Sequence, residues 1–417
     1  MALKLWSRVV VVVCILLITY NVLAAAGKNS NLSHEKQREF DNHLNRLNKP
    51  PVKSIESPDG DIIDCVNIAH QPAFDHPSMK NHKIQMKPTY DPQGDFVTNE
   101  EKAKGKSEPI TQLWHLKGRC PEGTIPIRRT KMDDILRAGS IENFGKKTHG
   151  SIPQSGLTKS VNEVDNNGHE YSVATVKGEK YYGARGSINV WNPKVQDPSE
   201  FSLSQIWLVG SSTTNVTTIE VGWQVCPGLY LDSNTRLFIY WTKDSYTNTG
   251  CYNLFCEGFV QLNKDIAIGA TLAPVSQIGG TPYEIKIFIW KDPVEGNWWL
   301  RVGEFTNTVG YWPGELVPDL ADGAATVQWG GEIVNFEPNF QHTTTQMGSG
   351  RFAEEGPAKA SYIRNMQIID DSNIPRLPKD LKISTSKAGC YDIKSFEIAN
   401  KEKYIFYGGP GRNPKCP

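Results

Sequence analysis

Beyond residue 169, apolar and polar positions alternate in short runs. Ile206-Trp-Leu-Val, Ile219 to Val225, Leu237 to Thr242, Gly258 to Leu262, Tyr283 to Trp290, Trp298 to Glu304 and Ala325 to Phe336 are β-branched or aromatic, and Gly, Pro, Asn and Asp separate them. This pattern predicts strands bounded by turns. No helical pattern of about 10–15 residues intervenes, so βαβ units are excluded. The reading is an all-β domain, an antiparallel two-sheet β-sandwich, with a closed barrel as the alternative. No fixed-period repeat is present, which excludes propellers and solenoids.

The chain ahead of this domain is more polar and mixed. Phe40, Leu44 and Leu47 recur at helical spacing and predict a short amphipathic helix that Pro50-Pro51 stops. A Pro-, Lys- and Asp-rich loop over residues 71–109 follows. Thr130-Lys-Met-Asp133 has capping-box spacing, with Ile135 and Leu136 as the apolar face of a second short helix. The organisation expected is a signal peptide at 1–26, a small α+β segment at 27–150, a linker at 151–168 and the strand domain at 169–417. The linker is rich in Gly, Ser, Asn and Asp, where a processing protease finds extended chain.

Export is read from residues 1–26. Lys4 and Arg8 precede the apolar run Val9 to Thr19, and Ala24-Ala25-Ala26 follows, the order of a cleaved secretory signal. The run is shorter than the roughly 20 residues of a membrane anchor. The expectation is a secreted chain, extracellular, in the cell wall or in another acidic compartment such as the vacuole, with no membrane attachment after signal cleavage. Cysteine usage fits an oxidising compartment. With Cys14 lost, the expected pairs are Cys251–Cys256 around a four-residue loop, Cys390–Cys416 and Cys65–Cys120, leaving Cys226 free. Asn31-Leu-Ser and Asn215-Val-Thr are glycosylation acceptors. The 45 Lys+Arg balance 45 Asp+Glu. No global positive field exists, and nucleic acid is excluded as a partner.

Histidine placement narrows the chemistry. Seven of nine precede residue 169, leaving His169 and His342 in the strand domain. A three-histidine metal site cannot be built there, no Cys-x-x-Cys or His-Glu-x-x-His occurs, and neither metal nor cofactor is expected. No Gly-x-Ser-x-Gly elbow exists; a Ser or Cys226 nucleophile with His342 as base is the weaker alternative. Carboxylates remain. In Thr218-Ile-Glu-Val-Gly-Trp-Gln-Val225, alternation puts Ile219, Val221, Trp223 and Val225 on one face and Glu220, Gly222 and Gln224 on the other. Val327-Gln-Trp-Gly-Gly-Glu-Ile-Val334 repeats the device with Gly330 and Glu332. Each glycine is expected to leave room for a ligand backbone beside its glutamate.

Several segments are long enough to be specific: Tyr182-Gly-Ala-Arg-Gly-Ser-Ile-Asn-Val-Trp191, Phe201-Ser-Leu-Ser-Gln-Ile-Trp207, Glu220-Val-Gly-Trp223, Leu237-Phe-Ile-Tyr-Trp-Thr242, Thr249-Gly-Cys-Tyr-Asn-Leu254 and Trp329-Gly-Gly-Glu332. With them the strand region resembles the neprosin family of plant glutamic peptidases. Cys120-Pro-Glu-Gly-Thr-Ile-Pro-Ile-Arg-Arg-Thr130 looks like the signature closing that family's activation segment. The resemblance implies a β-sandwich whose concave face carries a catalytic glutamate pair, here Glu220 and Glu332, and cleavage of peptides or proteins after proline. It also implies a prosegment at 27–150 acting as intramolecular inhibitor of a monomeric zymogen.

Two close carboxylates resist joint ionisation, so one activates water while the other donates a proton, which predicts an acidic optimum. Gln205 and Gln224 are candidate oxyanion donors, and Trp207, Tyr240, Trp241 and Trp329 candidate walls of a proline pocket. The seven histidines of the prosegment, His34, His43, His70, His76, His82, His115 and His149, are expected to charge in acid and loosen it, and Gln at His70, His76, His82 and His115 tests this. The alternatives are a carbohydrate-active or carbohydrate-binding sandwich, or an inactive neprosin-like binding protein.

Overall fold

The computed structural model describes residues 34–92, 111–147, 168–212, 214–303, 308–337, 340–398 and 402–417. The signal sequence, Asn31, His149 and the linker up to residue 167 lie outside them. Two compact units divide the chain, residues 1–46 and 47–417. The helix His34–Leu47 makes up the described part of the first, with Leu47 across the boundary. It ends before Pro50-Pro51, where proline has no N–H to continue a helix.

In the second unit, residues 51–92 and 111–147 build a small layer around the antiparallel strands Pro51–Glu56, Ile62–Asn67 and Thr124–Arg128, in that order. The first two are joined through Pro58-Asp59-Gly60, where Gly60 takes a positive φ of 87°. A Cys65–Cys120 disulfide ties the layer. Its apolar cluster of Ile55, Ile63, Cys65, Trp114 and Cys120 is completed by Ala267 and Ala270 of the strand domain. The segment therefore depends on the strand domain for part of its core. The short helix Met132–Arg137 starts one residue later than the capping-box spacing suggests. The Asp134 carboxylate accepts from Lys131 N at 2.9 Å, and Asp134 also meets Arg128 and Arg137, which draws it inward. Ile135 is buried, while Leu136 faces solvent rather than the core.

Two antiparallel sheets follow. The smaller runs Lys382–Thr385, His169–Tyr181, Ala324–Val334, Ser202–Val209, Thr218–Val225, Arg236–Thr242. The larger runs Val260–Gln261, Thr308–Trp312, Trp298–Val302, Glu284–Lys291, Gly183–Asn189, Ser361–Ile369, Glu402–Gly408, Asp392–Ile398, with Pro375–Arg376 added to Ser361–Ile369. Ile206, Leu208, Ile219, Val221, Trp223, Val327 and Ile333 from the first pack with Ile188, Ile285, Ile287, Ile289, Leu300 and Ile363 from the second in one continuous core. This is a two-sheet β-sandwich. The predicted strand Gly258 to Leu262 shrinks to Val260–Gln261, because beyond it Gln261 turns its amide onto the loop carbonyls of Asn263 and Ile266.

On the outer face of the larger sheet, residues opposite in phase to the core form a ladder of rings. Trp290 pairs with Trp299, and Trp299 with Tyr311, with Phe288 stacked on Trp290. Residues 73–92 cover this ladder. Ala73 and Met79 pack on it, Tyr90 O accepts from Trp290 Nε1 at 3.0 Å, and Tyr311 Oη accepts from Gln85 N at 3.0 Å. Asp292, fully buried, accepts from Gln85 Nε2 at 2.8 Å and Thr89 N at 2.6 Å. Disulfides also join Cys251–Cys256 and Cys390–Cys416, and Cys226 is a free thiol. No described helix is long and apolar enough to cross a membrane.

Candidate active site

Three neighbouring strands of the smaller sheet carry Glu332, Gln205 and Glu220. Gln205 lies between the two glutamate strands, opposite Gly330 on one side and Gly222 on the other. Glu332 sits opposite Leu203 and Glu220 opposite Trp207, each two residues from the glutamine in opposite directions. Strand alternation turns all three side chains to the face away from the sandwich core, and all three are fully buried.

The glycines do not leave room for a ligand backbone, as the sequence suggested. A Cβ on Gly222 would lie 1.9 Å from Ser204 O and 2.7 Å from Gln205 Cβ, and one on Gly330 would lie 2.2 Å from Ser172 O. They are needed for close approach of adjacent strands, and they keep both rungs beside Gln205 bare.

The Lys147 ammonium meets Glu220 Oε2 at 3.0 Å and Glu332 Oε2 at 2.8 Å. Gln205 Nε2 donates to Glu220 Oε2 at 3.0 Å and lies 3.5 Å from Glu332 Oε2. The other oxygens are held from behind. Glu220 Oε1 accepts from Tyr246 Oη at 2.6 Å and Thr218 Oγ1 at 3.0 Å, whereas Glu332 Oε1 pairs with His169 Nδ1 at 2.5 Å. Burial opposes the charge on Lys147, but the two carboxylates outweigh it and hold its pKa above the usual value. Burial likewise opposes ionisation of Glu332; Lys147 and His169 outweigh it, so its carboxyl stays below the usual range. Burial, then Glu220, pushes Tyr246 far up, so it remains a phenol able to donate.

Lys147 arrives on a chain laid across this face. Phe144 packs on Phe255 with ring centroids 4.8 Å apart. Gly145 O accepts from Tyr252 N at 2.8 Å, Lys146 Nζ donates to Asn248 O at 2.7 Å, and Lys147 N approaches Tyr240 Oη at 3.3 Å. Gly145 has a φ of 70°, and a Cβ there would lie 2.8 Å from Phe255 Cβ, so no larger residue fits. Beside the segment a groove of about 1140 Å³ is lined by Lys147, His169, Phe201, Tyr252 and Asn335.

Against known families, residues 198–410 match neprosin and residues 54–175 match the neprosin activation peptide. The chain belongs to the neprosin family. It is a glutamic-type peptidase with an activation peptide, and the segment ending at Lys147 lies within that peptide. Solved structures similar to this chain include scytalido-glutamic peptidase with a transition-state analogue inhibitor, at 10% identity and TM-score 0.31. The same enzyme with a peptide-based analogue matches at 8% and 0.30. SCP-B, of the Eqolisin family, bound to the tripeptide Ala-Ile-His, matches at 8% and 0.29. Each match covers 58% of this chain and 98% of the other.

The other residues singled out in this neprosin-family sequence divide by strand parity. Trp207 and Tyr240 stand directly opposite Glu220 on its two sides and share its face. Trp241 and Trp329 do not: both lie in the core between the sheets, with Trp329 Nε1 donating to Arg185 O at 3.2 Å. Gln224 is turned to Tyr230 Oη at 3.2 Å, so Gln205 is the glutamine at the carboxylates. His342 is engaged by Glu170 at 2.9 Å, and burial pushes the Cys226 thiol up to about 12, neither of which suits a nucleophile and base. Asn215 is exposed between its two strands. Lys147, Tyr246 and Thr218 were missed. Thr218 alone had a signal, two residues from Glu220 on the same face.

Of the seven prosegment histidines, His82 and His115 hydrogen-bond to the strand domain. His70 is exposed, and His76 Nδ1 is occupied by its own turn at Ser78. His82 meets Tyr311 Oη at 2.7 Å and His115 donates to Asp265 O at 2.7 Å. Desolvation lowers the pKa of both against the strand domain, although Glu315 and Asp265 pull the other way. A docked histidine that resists protonation titrates near 6.5 once free. Its support for docking is full above that value and is lost as pH falls from there through the depressed docked pKa. The double variant His82→Gln/His115→Gln will shift the midpoint of acid processing to lower pH; an unchanged midpoint would exclude these histidines as the trigger.

Proposed function

We propose that the chain is the secreted zymogen of an acid-acting endopeptidase whose catalytic pair is Glu220 and Glu332, which cleaves after proline, and which its own prosegment holds inactive through Lys147. The observation that carries this reading is one ammonium shared by one oxygen of each glutamate. A group placed there reaches both carboxylates and Gln205, as a water attacking a peptide carbonyl must.

With Lys147 gone, two buried carboxylates facing one point favour a single shared proton. The ionised member takes a proton from water as its oxygen attacks the scissile carbonyl; the protonated member hydrogen-bonds to the carbonyl oxygen and polarises it, then transfers its proton to the nitrogen as the C–N bond breaks, which leaves the pair again with one shared proton. Gln205 Nε2 is placed to donate to the developing oxyanion. No step requires a metal. Trp207, Tyr240, Tyr246 and Phe201 offer an aromatic wall for a pyrrolidine ring, which supports proline at the cleaved bond. The three disulfides and the signal-like start support export, and the shared-proton chemistry supports an acidic compartment.

The test uses acid-incubated full chain on two peptides differing only in proline or alanine at one position, with products mapped by mass spectrometry and a β-glucan assayed alongside. Cleavage on the carboxyl side of proline, unaffected by EDTA or pepstatin, is the expected result. Equal cleavage of both peptides would remove the proline preference, loss in EDTA restored by zinc would remove the metal-free mechanism, and glucan hydrolysis without peptide cleavage would favour the carbohydrate-active alternative.

A further inference from the structure

The two glutamates differ in what stands behind them. Glu220 Oε1 is held by two hydroxyls, from Tyr246 and Thr218, and neither group can carry a positive charge. Glu332 Oε1 is held by an imidazole, which can. A carboxylate oxygen has only lone pairs to offer, so His169 Nδ1 is the donor at 2.5 Å. The ring is fixed in place, with a side chain only 1% exposed, Phe201 meeting it edge-on at 5.7 Å and Tyr171 stacked at 6.3 Å.

His169 also lies on the far side of the processing region from Lys147. Both touch Glu332 in the zymogen. A cut within residues 148–167 separates them: the ammonium leaves with the prosegment, and the imidazole stays as the first residue of its strand. We propose that His169 is a positioning residue for catalysis, which in the activated enzyme holds Glu332 oriented and ionised and so makes Glu332 the base of the pair and Glu220 the acid. This rests on the catalytic pair proposed above.

The charged and titratable groups facing Glu332 are Lys147 from the prosegment, His169 and Tyr171 from the neighbouring strand, Glu220 across the Gln205 strand, and Tyr252 from the loop after Arg236–Thr242. Once Lys147 has left, His169 is the member of this set able to favour the charged form of Glu332. Removing it raises the Glu332 pKa. A base works only above its pKa, so the acid limb of the rate profile moves up.

The experiment measures kcat and KM against pH for the acid-activated full chain and three variants. His169→Phe keeps a ring between Tyr171 and Phe201 but loses the donor; its acid limb is expected about one pH unit or more higher, with kcat reduced and KM little changed. His169→Asn restores a neutral donor; part of kcat returns while the limb stays raised. Tyr246→Phe removes a donor from Glu220 and moves the alkaline limb upward instead. If His169→Phe does not fold, the limb of His169→Asn decides the matter. An acid limb unmoved in a folded His169 variant, or movement of the alkaline limb instead, would overturn the assignment. Glu332→Gln measured in parallel separates the two readings. If that variant retains turnover, the catalytic pair itself is wrong; if it is inactive while the His169 profiles match wild type, only the role of His169 falls.

Discussion

Glu332→Gln and Glu220→Gln will each reduce peptide hydrolysis by about 10³-fold or more, the range expected for loss of a positioned proton-transfer group. Glutamine keeps the shape of the side chain but cannot accept or release the proton, so either half of the exchange fails. Neither substitution touches the sandwich core or the three disulfides. Circular dichroism should therefore match that of wild type. Glu170→Gln is the internal control. It is also a glutamate of this sheet, but it pairs with His342 at 2.9 Å rather than with Lys147, and its loss should leave turnover within a few-fold. Near-normal turnover in either Glu220 or Glu332 variant, on a peptide the wild type cleaves, would refute the catalytic pair.

Lys147→Met should release the zymogen from its need for acid. In the docked state the ammonium helps hold the Glu332 carboxyl below its usual range. Undocking withdraws that cation, and one carboxylate must then take up a proton. The support that this contact gives to docking is therefore present at neutral pH and is lost as pH falls through the carboxylate range, which makes activation proton-coupled. Methionine keeps the length and apolar stem of the lysine without its charge. Breaking a buried ion pair from one side costs about 3–5 kcal/mol, enough to let the segment leave the cleft at pH 6 to 7. The measurement is processing of the full chain across that range, followed by gel electrophoresis and by hydrolysis of a short peptide. A Lys147→Met proenzyme that stays latent with the wild-type pH midpoint would rule out the lysine as the lock.

How far the site could be read from the sequence depends on the distance over which each residue acts. The faces of Glu220 and Glu332 were legible because period-two alternation within one strand fixes each, while their pairing was implied by the resemblance to the neprosin family, and the register across Gln205 brings them together. The same rule was not pressed far enough for the tryptophans. Trp241 shares parity with Leu237 and Ile239, and Trp329 with Val327 and Ile333, so their place in the core was already written in their own strands. Lys147 had no local signal. Its role comes from a chain that returns to the site over 73 and 185 residues of sequence separation. Gly222 and Gly330 were noticed for the right reason, a missing side chain, but the neighbour that fills each space is another strand.

Strands that alternate poorly were among those the sequence pattern did not single out. Gly183–Asn189 holds a central place in the larger sheet and is buried on both faces, so no alternation marks it. Lys382–Thr385 and Asp392–Ile398 are at the sheet edges and largely exposed, and they carry too few apolar residues to stand out.

The ring ladder under residues 73–92 gives processing a second result, on the side of the sandwich away from the glutamates. Phe288, Trp290, Trp299 and Tyr311 are all buried while the prosegment is in place. Its departure would turn a dry aromatic strip into wetted surface, take the Tyr90 acceptor from the Trp290 indole, and leave Asp292 with the Val294 and Glu295 N–H groups of its own turn. A contiguous apolar patch of this kind makes a protein adhere to surfaces and to itself. On the proposed reading the prosegment would be a colloidal coat as well as a plug: the form that could be stored and moved at high concentration would be the inactive one, and the enzyme would become adhesive at the moment it became active.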